Sequence, residues 1–191
     1  TRHANARTFV VANTRSPEWR RSLLAMADRA IGFGVDSVFY DQLGYAEAAA
    51  NWDLGGEFPV PNTRTIADKA DTLKMLHDHL DSRGNPDFAL GTEWLTDVAA
   101  QHVDYVHNIT GATGPNDFTE WVRFTFPEIV LSDREIRDDT DVPRRVNHAV
   151  MKGLRSDVEI FRCRDLIDRT PVYQRHLAEA DRLRDKYADL L

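Results

Sequence analysis

Short apolar runs alternate along the chain with longer segments in which apolar residues recur at the spacing of an α-helix. The short runs predict six strands, over residues 8–14, 35–41, 86–93, 103–108, 126–133 and 157–165. The longer segments predict helices over residues 16–34, 63–84, 94–102, 144–154 and 170–191. Strands that alternate with helices or loops in this way are typical of βα units and a parallel sheet.

Two helix starts carry the residues that helix starts prefer. Ser16 fits the N-cap position and Pro17 the first helical position, and Thr170 with Pro171 repeats the pattern near the end of the chain. These pairs predict where the first and last helices begin.

Two architectures fit the alternation: an open doubly wound parallel sheet and part of a (β/α)8 barrel. The open sheet usually has a glycine-rich first turn, and the pattern Gly-x-Gly-x-x-Gly does not occur in the sequence. Polar residues stand at or next to the predicted strand ends, at Asp41, Glu93, Asn108, Asp133 and Asp165. Barrel enzymes carry their chemistry at such ends, so this pattern favours the barrel.

Six predicted strands are two short of the eight that close a barrel. We therefore expect residues 1–191 to form a single α/β domain that covers the C-terminal three quarters of a (β/α)8 barrel. The missing N-terminal part of the barrel is then expected on the same parent chain.

The alternation of side chains along two strands predicts which way their acids point. Ala89, Gly91 and Glu93 share one face of the third predicted strand, and small residues suit a crowded barrel interior. The same alternation places Asp41 with Phe39 on the inward face of the second predicted strand. Two carboxylates at neighbouring strand ends would lie within roughly 5–10 Å, the range in which paired carboxylates hydrolyse glycosides.

A structural role is the alternative for each acid. An aspartate after a strand often caps the next helix or forms an Asx-turn, and either role is the alternative for Asp41. Glutamate is a poor N-cap, so the alternative is weaker for Glu93. Asp36 lies at the start of the predicted strand that Asp41 ends. In a barrel, residues at that end of a strand serve stability, so we expect a structural role for Asp36.

Three segments carry a resemblance to a known group of proteins: SPEWRRSLLAMADRAIGFGVDSVFYDQLG, PDFALGTEW and FPEIVLSD. Together they resemble a bacterial family of uncharacterised glycoside-hydrolase-like barrels, related in style to the alpha-amylase and alpha-galactosidase superfamily. The resemblance implies that Asp41 is the nucleophile, Glu93 the acid/base and Asp133 a third carboxylate that steadies the sugar or the transition state. Phe39 stands where an alpha-amylase has arginine, and Leu131-Ser132 precede the third acid without the expected histidine.

Further candidates could contact a carbohydrate substrate. Trp52, in a long predicted loop, and Trp94, directly after Glu93, have aromatic faces that suit the apolar face of a pyranose ring. Packing in the interior is the alternative for Trp94. Asn108 ends a predicted strand and could donate a hydrogen bond to the substrate.

Composition narrows the possible partners. The formal charge of −7, with no concentrated basic face, argues against nucleic acid. Cys163 is the single cysteine, which excludes an internal disulfide and a multi-cysteine metal site. The acidic run DREIRDDTD lacks the spacing of a calcium loop, so we expect no metal and no cofactor. No window approaches the ~18 apolar residues of a membrane span.

These observations predict a glycoside hydrolase that acts on an oligosaccharide or glycoconjugate through two carboxylates, with retention of configuration. A non-catalytic carbohydrate-binding or degenerate barrel is one alternative. An acid-rich, metal-dependent α/β hydrolase of another class is the other. The sequence does not indicate the compartment.

Overall fold

The computed structural model describes residues 12–46, 50–83, 87–107, 119–136, 139–158 and 170–188. The chain divides into two compact units, Thr1–Asp104 and Tyr105–Leu191. The expectation of one domain over residues 1–191 stays a prediction.

The first unit alternates helices and strands. Its elements are α1 (Pro17–Gly32), β1 (Ser37–Tyr40), α2 (Thr65–Ser82), β2 (Ala89–Glu93) and a 3₁₀ helix (Ala99–His102). β1 and β2 are parallel neighbours, with Ser37 paired to Ala89 and Tyr40 paired to Thr92.

The second unit repeats the alternation. Its elements are β3 (Tyr105–His107), α3 (Thr119–Thr125), β4 (Val130–Ile136), α4 (Val142–Met151), β5 (Arg155–Val158) and α5 (Pro171–Lys186). β4 pairs in parallel with β3 on one side and with β5 on the other. The predicted α/β class with parallel strands is therefore confirmed, and the strands within each unit pair in chain order.

The predicted helix starts are confirmed in position, but only one is capped as expected. The Ser16 hydroxyl accepts a hydrogen bond from the Trp19 amide at 3.4 Å, and Pro17 opens α1. Thr170 stands at the N-cap of α5 but makes no capping bond with its side chain. The carboxylate of Asp139 accepts the first amides instead, at 3.0 Å from Val172 and 2.9 Å from Tyr173.

Several predicted boundaries are wrong. Residues 12–14 are not in a strand, and the rest of the predicted strand 8–14 lies outside the described residues. Residues 94–98 are not helical, because Trp94 adopts a left-handed backbone conformation at φ +56° that an α-helix does not contain. Helix α3 lies where no helix is predicted, and β5 begins at Arg155, two residues earlier than predicted.

The core of the first unit lies between the helices and the two strands. Leu73 and Leu76 of α2 and Leu90 of β2 are fully buried, and Leu23 of α1 is 4 % exposed. In the second unit Val142 and Val146 of α4 pack with Tyr173 and Ala180 of α5. Burial of this apolar surface is the main favourable contribution to folding in each unit.

Candidate active site

Asp41 and Glu93 lie at the same edge of the β1–β2 pair. The last residues in register are Tyr40 and Thr92, and each acid comes directly after one of them. Parallel strands lie about 4.8 Å apart, so the backbones at Asp41 and Glu93 are near neighbours where the two strands end. The fold therefore brings the two predicted acids to one edge of one strand pair.

The two acids differ in exposure. Glu93 is 5 % exposed and interacts with other groups of the protein, whereas Asp41 is exposed. Asp41 is thus open to a molecule from solution, and Glu93 lies beneath the surface one strand away.

Tyr40, on the face of β1 opposite Phe39, is turned toward helix α1. Its side chain is 3 % exposed, and its hydroxyl donates a hydrogen bond to the Leu23 carbonyl oxygen of α1 at 2.6 Å. Burial raises the pKa of Tyr40 to about 12. Phe39, on the other face in register with Gly91, is 37 % exposed. β1 ends at Tyr40 and Asp41 is the first residue of the following turn, so the predicted orientation of its side chain stays a prediction.

The turn after β1 packs tightly against the end of β2. The Gly44 amide donates a hydrogen bond to the Thr92 hydroxyl at 2.9 Å, and that hydroxyl donates to the Tyr40 carbonyl oxygen at 2.9 Å. A Cβ atom at Gly44 would lie 2.1 Å from the Trp94 carbonyl oxygen. Only glycine fits this approach, so the turn has a fixed position beside Glu93.

Each acid is followed by a residue with a left-handed backbone. Gln42 has φ +59° and Trp94 has φ +56°, one position after Asp41 and Glu93 respectively. Such conformations are uncommon for residues other than glycine and cluster at active sites and ligand clamps. The two strands thus end with the same sharp change of direction, each directly after an acid.

Two aromatic rings meet above these turns. The Tyr45 and Trp94 ring centroids are 4.4 Å apart, with the ring planes tilted by 45°. Trp94 is half-buried and Tyr45 is 42 % exposed, and they follow Glu93 and Asp41 by one and four residues respectively. Sequence reasoning identified Trp94 and missed Tyr45, although its place four residues after Asp41 was a usable signal.

Trp52 belongs to a separate loop. It is 68 % exposed, and its neighbour Asn51 exchanges backbone hydrogen bonds with Asn62 at 2.8 and 3.1 Å. Its predicted contact with substrate stays a prediction.

Two charged residues of α2 were also missed by sequence reasoning. Asp68 is 1 % exposed and Lys69 is 6 % exposed. Lys69 donates to the carbonyl oxygens of Gln42 at 3.1 Å and Tyr45 at 3.3 Å, within the turn after β1. The amphipathic spacing of α2 indicates a buried face. The burial of two charged residues in that helix depends on their contacts with distant residues, which the spacing does not show.

Asp68 lies at the centre of an ionic cluster. Arg15 Nη1 is 3.2 Å from Asp68 Oδ1, and Arg64 Nε is 3.7 Å from the same oxygen. The hydrogen bond to Asp68 is the main cause that raises the pKa of Arg15. Both guanidinium groups also lie over the Phe58 ring, at 5.1 and 4.2 Å from its centroid. The cluster fixes residues 13–15 and the loop before α2 to the start of that helix.

The remaining predicted site residues belong to the second unit. β4 continues through Asp133 to Ile136, so the prediction that the strand ends at Asp133 is wrong. The backbone of Asp133 pairs with Ser156, and a bulge follows before Ile136; the side chain lies outside the described part of the structure. Asn108, Cys163 and Asp165 lie outside the described residues.

Asp36 stands at the opposite end of β1 from Asp41. Its carbonyl oxygen accepts a hydrogen bond from the Ala89 amide at 2.9 Å, and the residue is exposed. It contributes its backbone to the pairing of the two strands, as expected for a scaffold position.

Comparison with known proteins adds no family. A scan against models of protein families and a search of curated proteins both find no match.

Within the described ranges, no three His, Cys, Asp or Glu side chains are grouped so as to hold a metal ion. Across those same ranges no helix is both long and apolar enough to cross a bilayer.

Proposed function

We propose that the protein is a glycoside hydrolase that acts on an oligosaccharide or glycoconjugate, with Asp41 and Glu93 as its two carboxylates. The observation that carries the proposal is their placement directly after the last registered pair of two parallel strands. A pair of carboxylates at neighbouring strand ends is the minimum machinery of glycoside hydrolysis.

The exposures of the two acids suggest their roles. Exposed Asp41 would attack the anomeric carbon while Glu93 donates its proton to the glycosidic oxygen, so that the C–O bond breaks and a glycosyl ester forms on Asp41. Glu93, now a carboxylate, would then take a proton from water as that water attacks the anomeric carbon and releases Asp41. Two displacements at the same carbon retain the anomeric configuration.

The aromatic pair supports a carbohydrate as the substrate. Tyr45 and Trp94 follow the two acids closely in the sequence and contact each other, and their partly exposed rings suit the apolar face of a pyranose. Asp133, on the resemblance, and Asn108, as the end of a predicted strand, are further proposed contacts for the substrate.

We also propose the (β/α)8 barrel rather than the open sheet as the fold. Pairing in chain order within each unit supports it, because barrel strands follow one another in sequence. A doubly wound sheet reverses its strand order at a switch point.

Turnover of a panel of aryl α- and β-glycosides tests the function. Asp41→Asn and Glu93→Gln are each expected to lower kcat by about 10²–10⁴-fold, the range for a positioned acid–base or nucleophilic group. Asp36→Asn, at the other end of β1, is the matched control and should retain wild-type turnover. Circular dichroism of each variant checks that the buried Glu93 is replaced without unfolding.

The leaving group separates the two roles. Glu93→Gln should lose much less activity on dinitrophenyl glycosides than on alkyl glycosides, because a good leaving group needs no proton. Asp41→Asn should lose activity on both. Unchanged turnover in both variants would reject the assignment, and sugar binding without turnover in the wild type would favour the non-catalytic alternative.

A further inference from the structure

The first half of α2 buries an unusual set of side chains. Its buried face carries Thr65, Asp68, Lys69 and Thr72, at the i, i+3, i+4 and i+7 positions of one helical stripe. Lysine is almost never fully buried unless it has partners, because burial of an unpaired charge is costly. A lysine that is 6 % exposed therefore calls for a reason in its contacts.

The contacts of Lys69 lead to the turn that follows Asp41. Its ammonium donates to the carbonyl oxygens of Gln42 at 3.1 Å and Tyr45 at 3.3 Å. It also lies 5.7 Å from the centroid of the Tyr45 ring, within range of a cation–π interaction. The Gln42 oxygen accepts the Tyr45 amide as well, at 3.3 Å, so the lysine binds both ends of one closed turn.

The same turn is fixed from a second direction. Gly44 donates to the Thr92 hydroxyl and packs against the Trp94 carbonyl oxygen, beside Glu93. The turn is thus held between α2 and the end of β2. Its left-handed residue, Gln42, is the one whose carbonyl Lys69 binds.

We infer that Lys69 is a positioning residue for the acid pair: its buried ammonium holds the Asp41–Tyr45 turn in the conformation that sets Asp41 against Glu93. The inference rests on the proposed function of that pair. Lys69 acts through the turn and is not assigned a contact with substrate.

The experiment compares three variants by kcat, KM and amide hydrogen exchange. Lys69→Met keeps the apolar stem and removes the charge, whereas Lys69→Arg keeps a cation that can donate to the same carbonyls. Lys74→Met is the matched control, because Lys74 lies on the same helix but is 56 % exposed and pairs with Asp78 at 2.6 Å.

Lys69→Met is expected to lower kcat by about 10²-fold with KM changed by less than threefold, the cost of an acid displaced by about 1 Å. Exchange of the Gly44 amide should accelerate in this variant, while amides of β1 keep their wild-type rates. Lys69→Arg should restore part of kcat, and Lys74→Met should match the wild type in all three readouts. A purely structural lysine would instead change the fraction of folded protein and leave kcat per folded molecule unchanged.

The outcomes separate the inference from the function on which it rests. If Asp41→Asn abolishes turnover but Lys69→Met keeps the wild-type kcat, the inference is overturned and the proposed function stands. A wild-type protein without turnover on any glycoside overturns both. If Lys69→Met fails to fold, Lys69→Gln, which keeps a hydrogen-bond donor without the charge, carries the same expectation, and wild-type kcat in it overturns the inference.

Discussion

The two halves of α2 bury different kinds of side chain, although they form one continuous helix. The first half buries four polar or charged residues and one alanine, which are Thr65, Asp68, Lys69, Ala70 and Thr72, and the second half buries Leu73, Leu76 and Leu80. The polar half contacts the turn after β1 and the segment around Arg15, near the strand end that carries Asp41. The apolar half packs into the core of the first unit. One helix therefore serves as scaffold at one end and positions the turn of the candidate site at the other.

The C-terminal end of α2, away from the candidate site, makes polar contacts between partly exposed side chains. Asp28 of α1 accepts His79 Nε2 at 2.8 Å and Arg83 Nη2 at 2.6 Å, all in side chains with substantial exposure. Exposed pairs of this kind contribute little to stability. The buried charged residues Asp68 and Lys69 instead lie in the half of α2 that contacts the turn after Asp41 and the segment around Arg15.

The largest effect on stability is expected in the apolar half. Leu76→Ala removes a fully buried side chain and should lower the free energy of unfolding by about 4 kcal/mol, within the range for buried leucines. Urea denaturation measures it, with Leu54→Ala, at an 87 % exposed position, as a control of near-zero effect. If Leu76→Ala lowers the free energy of unfolding no more than Leu54→Ala does, the second half of α2 is not an apolar core contact.

Gly44 tests the tight approach between the turn and β2. Gly44→Ala places a methyl group where the Trp94 carbonyl oxygen lies, and should cost about 3 kcal/mol together with the activity of the site. Gly32→Ala is the matched control, since a Cβ atom there meets nothing within 4 Å. It should stabilise the protein by about 0.5–1 kcal/mol through helix propensity. Equal effects in thermal denaturation would contradict the close approach.

The ionic cluster tests the polar half. Arg15→Met should lower the free energy of unfolding by about 2 kcal/mol, below the roughly 3–5 kcal/mol of a buried pair broken outright. The loss is smaller because Arg64 stays 3.7 Å from the buried Asp68 carboxylate. Arg21→Met, in an exposed pair with Glu18, should change stability by less than about 0.5 kcal/mol. A cluster loss no larger than this control would show that Asp68 does not depend on Arg15.

The smallest effect is expected at Asp28 and depends on pH. The hydrogen bond from His79, followed by that from Arg83, lowers the pKa of Asp28 below its ordinary value of 3.8. A carboxyl with a lowered pKa adds stability above its ordinary value, and that stability is lost as pH falls through the folded-state pKa. Asp28→Asn should therefore lower Tm slightly at pH 7, with a difference that shrinks below pH 3.8. The same difference at pH 7 and pH 2.5 would contradict this assignment.

The sequence was sufficient for the features that depend on local pattern. Ser16 and Pro17 predicted the start of α1, the leucine spacing predicted α2, and the apolar runs predicted β1 and β2 with an acid where each strand ends. These signals are short-range, because capping, helical periodicity and strand alternation are properties of neighbouring residues.

The rest depended on contacts between distant residues. Nothing in the sequence predicts that Lys69 and Asp68 are buried, and their burial is explained by their partners at Tyr45 and Arg15. The left-handed backbone at Trp94 replaced a predicted helix, because the chain must turn where Gly44 packs on its carbonyl oxygen. β4 passed through Asp133, since parallel pairing with β5 extended the strand beyond the acid.

Covalent trapping tests the central claim, that Asp41 and Glu93 act as a pair, most directly. The sugar that the protein hydrolyses fastest is first identified, and the protein is then incubated with the 2-deoxy-2-fluoro glycoside of that sugar, which carries an activated leaving group. Peptides of the treated protein are analysed by mass spectrometry. The account predicts one glycosyl ester on Asp41, absent from Asp41→Asn and formed but released slowly in Glu93→Gln. A label on another carboxylate, or turnover with inverted configuration and no label, would contradict it.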